Sequence, residues 1–142
     1  MDIRTLTDSY SVSPQIAPQD AARIRALGFR TVIDNRPDAE IPRDQHAETM
    51  RVAMEVEGLA FIVNPVIGGA MTMDNVAVQR SAIAAAEGPV LAYCASGNRS
   101  SVVWALAMAG QMPTEELISI PLRHGYQLQA VRAQIDMLAR ND

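Results

Sequence analysis

The 142 residues, 49% apolar and 20% charged, are long enough for one domain that buries roughly two thirds of its unfolded-state surface. The net charge of −4, with no basic stripe, argues against nucleic acid or an anionic membrane surface as partner. All twelve basic residues are arginine, which excludes a Schiff-base or Walker lysine, and one cysteine with two histidines excludes an internal disulfide and a zinc site.

The chain opens on a polar stretch, "MDIRTLTDSY", so no targeting signal is expected, and its longest apolar run, residues 102–109, falls far short of the ~20 needed to span a bilayer. A cytoplasmic home is expected for its lone thiol. "YSVS" (residues 10–13) predicts a short strand. Pro18 fits a first helical position, and apolar residues recur at helical spacing until Gly28. "FRTVID" (29–34) predicts a buried strand, the loop "NRPDAEIPR" follows, and a helix is expected over 44–57, closed by Gly58.

"LAFIVN" (59–64) predicts the next buried strand. The loop "PVIGGAMT" leads to a helix from Met73 or Asp74 to about Glu87, with Asp74 expected to cap it. "PVLAY" (89–93) is another strand. Helices are then expected over 100–110, from Thr114 to a break near Pro121, and over 126–140. Strands alternating with helices predict a single three-layer α/β domain over residues 1–142, with a mostly parallel sheet of four or five strands. In such sheets ligands sit beyond the carboxyl ends of the strands. "NRPD", "PVIGG" and "CASGNR" should therefore share one edge.

Cys94 ends the last of these strands, and Ala95, Ser96, Gly97 and Asn98 turn the chain into a helix beginning near Arg99. Gly97 and Asn98 tolerate positive φ, so the turn can direct N–H groups inward. Such a nest at a helix N-terminus binds anions and favours a thiolate, which is the nucleophilic form. Arg99 adds a fixed positive charge, and the Ser96 and Ser100 hydroxyls are candidate donors to the sulfur or to a bound oxyanion. Cysteine-dependent phosphatases place five residues between cysteine and arginine; here there are four. The shorter ring should cradle sulfur, or a small sulfur oxyanion, better than a phosphoryl group.

"CASGNRS" resembles the active-site loop of rhodanese-type sulfurtransferases. "SPQI", "TVIDNRPDAE", "GPVLAYCASGNRS", "WALA" and the late "GY" together resemble one bacterial family over nearly the whole chain. It is the phosphatase-like domain of beta-lactamase-hydrolase-like proteins, also grouped with sulfurtransferases (the DUF442 group). The resemblance implies a dual-specificity-phosphatase-like fold with a rhodanese-like loop. Some family members are fused to a persulfide dioxygenase, which implies a functional link to sulfane-sulfur chemistry. The family usually carries arginine directly after the cysteine, where this chain has Ala95, so a weaker positive field is expected.

The expected activity is therefore sulfur transfer from thiosulfate or a low-molecular-weight persulfide to a thiol or cyanide acceptor through a Cys94 persulfide. It needs no metal and no organic cofactor. One alternative is a cysteine-dependent phosphatase, for which Asp38 and Asp74 are the available acids and Tyr93 stands where histidine is common. The other is a non-catalytic anion-binding or persulfide-carrier module. Beside the loop, Asn35 is expected to fix "NRPD" through its amide. Arg36 should pair with Asp38 or another acid, or bind an anionic donor. Asp38 is expected to bond within its loop, and Gly68 and Gly69 either bring backbone close to Cys94 or simply turn the chain.

Overall fold

The computed structural model describes residues 1–140. Five strands form one sheet: β1 (Arg4–Thr7), β2 (Tyr10–Ser13), β3 (Thr31–Asp34), β4 (Ala60–Val63) and β5 (Val90–Tyr93), in the order β1-β2-β5-β3-β4. All neighbours are parallel except β1 and β2. β1 carries no sequence signal because it is an edge strand on which only Leu6 is buried, so neither alternation nor an apolar run marks it. β2, β3 and β5 are buried at every position, as strands covered on both faces must be.

The two apolar layers follow the strand alternation. On one face Val32, Leu91 and Tyr93 pack with Ile24 of α1 (Ala21–Ala26) and with Met50 and Met54 of α2 (Ala47–Val56). On the other, Val12, Ile33 and Ala92 pack against α3 (Met73–Ala85), α4 (Asn98–Ala107), α5 (Thr114–Leu122) and α6 (Arg132–Arg140). α4 lies within this layer, with residues 103–107 buried on every side, and Trp104 stacks on Tyr10 at 5.8 Å.

The helices begin and end differently from the expected bounds, for local reasons. Pro18–Asp20 and Arg43–Gln45 form 3₁₀ turns ahead of α1 and α2 rather than α-helix. Thr72, not Asp74, caps α3: its hydroxyl accepts the Asn75 N–H at 3.1 Å, and Asn75 Oδ1 accepts the Thr72 N–H at 3.0 Å. α5 starts at Thr114 and ends at Leu122, one residue past Pro121, as expected. The final helix starts at Arg132, after a 3₁₀ turn at Gln129–Val131, and not at Tyr126.

Beneath the carboxyl ends of the strands lies a cluster of buried amides. Gln79 of α3 is fully buried; its Oε1 accepts from Asn35 Nδ2 at 2.9 Å and Asn64 Nδ2 at 2.8 Å. Its Nε2 donates to Asn35 Oδ1 at 3.2 Å and to the Tyr10 hydroxyl at 3.0 Å, and that hydroxyl donates to the Ser100 carbonyl at 2.9 Å. Replacing Gln79 by leucine keeps the volume but strips partners from three buried polar side chains. Q79L should therefore lose about 2–4 kcal/mol of stability, measured as a fall in the urea midpoint at unchanged slope. A loss within error would show that the cluster contributes nothing net.

Candidate active site

β5 delivers Cys94 to the sheet edge, where its N–H donates to the Ser13 carbonyl at 3.3 Å. The chain then reverses at Gly97, whose φ of +97° places it in the left-handed region as the residue preceding α4. Asn98 takes no positive φ and is already the first helical residue, one position ahead of Arg99. The Gly97 N–H points at the Cys94 Sγ, 3.1 Å away, at the positive end of the ten-residue α4. The Asn98 N–H is used within the turn, donating to Ser96 Oγ at 3.2 Å.

The two serines do not serve the sulfur. The Ser96 hydroxyl caps Asn98, and Ser100, fully buried, donates to Asn35 Oδ1 at 2.9 Å. Ala95 is exposed and adds no charge. A second layer holds the turn from outside: Tyr126 Oη donates to the Ser96 carbonyl at 2.8 Å, and Ser101 Oγ donates to the Gly97 carbonyl at 2.8 Å. Cys94 itself is fully buried, so a reactant reaches its sulfur only as surrounding side chains yield.

Arg99 is engaged on two sides. Nη1 and Nη2 donate to the two carboxylate oxygens of Glu40 at 2.9 and 2.8 Å, and Nη1 also donates to the Val66 carbonyl at 2.7 Å. The pairing raises the guanidinium above its usual range and holds the Glu40 carboxyl below its own. Arg36 adds a weaker bond to Glu40, Nε to Oε1 at 3.3 Å, so the acid that pairs with it is Glu40 and not Asp38. Sequence reasoning missed Glu40. Its spacing of four from Arg36 was the one local signal, whereas its partnership with Arg99 spans 59 residues.

The "NRPD" loop is built as expected around Asn35, whose amide donates to the Asn64 carbonyl at 2.9 Å. Asp38 Oδ1 accepts the Ala47 N–H at 2.8 Å, which ties the carboxylate to the start of α2. Gly68 and Gly69 have open space where a Cβ would stand, and Gly69 has φ +77°. No close approach requires the lack of a side chain at either position, and the positive φ of Gly69 serves the turn. Asp74 is exposed in the first turn of α3. Among the described residues, no group of three histidine, cysteine or acidic side chains could hold a metal ion, and no helix is long and apolar enough to cross a membrane.

Two cavities bear on the site's location. The larger, about 510 Å³, lies by Thr31 and Ala60 at the amino ends of β3 and β4, away from Cys94. A second, about 320 Å³, includes Asn98 and Arg99 in its wall.

A cysteine at the end of a central parallel strand, a tight turn and an arginine on the following helix define a phosphatase-like architecture. The chain belongs to the family described as beta-lactamase hydrolase-like protein, phosphatase-like domain, which it matches over residues 2–111. A "Beta-lactamase hydrolase-like protein" of Xylella fastidiosa (strain Temecula1) is 31% identical over 130 residues, covering 90% of this chain but 30% of that protein. The chain thus spans about a third of the length of the curated relatives it matches.

Among solved structures, a candidate phosphatase from Neisseria meningitidis Z2491 is 34% identical, with a TM-score of 0.81 over 97% of this chain and 99% of that one. A DUF442 candidate phosphatase from Shewanella putrefaciens CN-32, at 17% identity and a TM-score of 0.74 over 95% and 91% of the two chains, shares the fold. These descriptions accord with the phosphatase alternative better than with sulfur transfer.

Two expectations follow from the geometry. A Cβ on Gly97 would lie 2.9 Å from the Tyr126 ring carbon Cζ and closer still to its hydroxyl, on a backbone with positive φ. G97A should therefore lower stability by about 1–3 kcal/mol, measured by thermal denaturation. An unchanged melting curve would contradict the fit.

Asp34, the last residue of β3, is buried; it accepts the Arg36 N–H at 2.8 Å through Oδ1, while Oδ2 has no well-formed hydrogen bond. Burial pushes its carboxyl up to about 6, against the opposing pull of the Arg36 N–H and the nearby Tyr93 hydroxyl. The folded value exceeds the unfolded one. Its stabilising contribution is thus complete below about pH 4 and lost as pH rises through about 6. D34N should be more stable than the parent at pH 8 by up to about 3 kcal/mol, with the advantage shrinking toward pH 4. Denaturant melts at the two pH values test this, and a pH-independent difference would refute it.

Proposed function

We propose that the chain catalyses sulfur transfer through Cys94. The observation that carries this reading is the four-residue interval between Cys94 and Arg99, with the Gly97 N–H aimed at the sulfur itself at 3.1 Å. A ring this tight favours charge located on the cysteine sulfur or on a sulfur bound to it. The Cys94 thiolate attacks the outer sulfur of a sulfane donor such as thiosulfate. A new S–S bond forms at Cys94, the donor's S–S bond breaks, and its electron pair departs with sulfite. An acceptor thiolate or cyanide then attacks the terminal sulfur of the Cys94 persulfide and restores the thiolate. The leaving groups are stable anions, so the step needs no proton donor. This agrees with Asp38 being tied to α2 and Asp74 standing in the first turn of α3.

The second reading is phosphoester hydrolysis through a Cys94 phosphoryl intermediate, and the specific support for it is the phosphatase descriptions of the family and of the Neisseria structure. One experiment separates the two. Intact-mass spectrometry after incubation with thiosulfate or glutathione persulfide should show a gain of one sulfur. It should be absent in Cys94→Ser and discharged by an acceptor thiol. Cys94-dependent hydrolysis of an aryl phosphate without sulfur uptake would overturn sulfur transfer in favour of the phosphatase. A persulfide that no acceptor discharges would mark a carrier.

A further inference from the structure

The cavity of about 320 Å³ adjoins the reactive loop, with Asn98 and Arg99 in its wall. Arg99, Val102 and Leu106 stand at i, i+3 and i+7 on α4, so one face of the helix runs from the guanidinium into the groove. Val66, whose carbonyl holds Arg99 Nη1, also lines the groove, together with Met71 and Val131. The lining is mainly aliphatic, and Gln134 and Thr72 are among its few polar residues. Its volume lies at the lower end of the range for small-molecule sites.

The groove therefore sets the Arg99 guanidinium, which an anion would take over from Glu40, beside an aliphatic body site. Thiosulfate or another inorganic donor would engage only the first.

We propose that this groove receives the organic part of the sulfur donor, making the preferred donor class an anionic sulfane head on a short aliphatic body. The proposal rests on the sulfur-transfer reading. For an alkanethiosulfonate, the Cys94 thiolate bonds to the terminal sulfur, the bond between that sulfur and the sulfonyl sulfur breaks, and the electron pair leaves with the alkanesulfinate. The aliphatic chain then lies along Val102 and Leu106 while the oxyanion faces Arg99.

Binding and transfer are measured separately. Alkanesulfonates from methane to hexane carry the head and body without a transferable sulfur. Their affinity for the Cys94→Ser protein, by calorimetry, should rise roughly three- to fourfold per methylene until the groove is full. V102F fills the groove from α4 and V131F fills it from the segment before α6; in either variant the rise should disappear. Using two variants from different elements covers the case in which one fails to fold, which a melting curve reveals. A flat series in the Cys94→Ser protein, or a rise that both folded variants retain, overturns the groove assignment.

The matching thiosulfonates are then given to the native chain, and sulfur loading of Cys94 is followed by intact mass. Loading that is independent of chain length refutes the groove and leaves sulfur transfer standing. Chain-dependent binding with no loading from any donor overturns the donor assignment together with the sulfur-transfer reading. Loading that rises with chain length, and loses the rise in V102F, supports both.

Discussion

The buried amide cluster around Gln79 is the constraint on which the placement of the site depends. β3 and β4 are each followed by an asparagine, Asn35 and Asn64, and both side chains turn inward to one glutamine of α3. Tyr10 from β2 and Ser100 from α4 close the set. The loops after β3 and β4, strand β2, α3 and the helix that carries Arg99 are thereby fixed to one another at atomic distances. Amides suit this role because each offers donor and acceptor together and carries no charge to desolvate.

Electrostatics at the site are balanced before any ligand arrives. Glu40 accepts from both Arg99 and Arg36, so the positive groups nearest the loop are already paired. An incoming anion exchanges partners with Glu40 instead of filling a bare positive pocket. The exchange needs little geometric change, since a carboxylate and a small oxyanion present similar pairs of oxygens to a guanidinium fork. Together with the buried sulfur, this makes the resting state closed and charge-compensated.

The parallel strands and the cysteine loop were legible in the sequence because each has a local cause. Continuous apolar runs mark strands covered on both faces, and Gly97 marks the one residue of the loop that needs a positive φ. β1 escaped because an edge strand with one buried side chain imposes no pattern. The partner of Ser100, and the roles of Glu40 and Gln79, escaped for a different reason. Their bonds join residues far apart in the chain, and nothing at either end distinguishes a buried amide or a paired carboxylate from the many exposed ones. Asp74 shows the reverse error: the residue type suits a helix cap, but the capping was done two residues earlier by Thr72.

Tyr126 gives the site a different boundary from the one the family match suggests. The matched stretch ends at residue 111, yet the hydroxyl that holds the Ser96 carbonyl and stands against Gly97 comes from beyond it. Its ring also lies against the Arg4 guanidinium on β1, 5.3 Å from the ring centre. The reactive turn is thus clamped from outside by a contact between the first strand and the segment after α5. In evolutionary terms the unit of inheritance must include that segment, because a gene fusion that cut the chain at the end of the recognisable motif would carry the nucleophile without its brace.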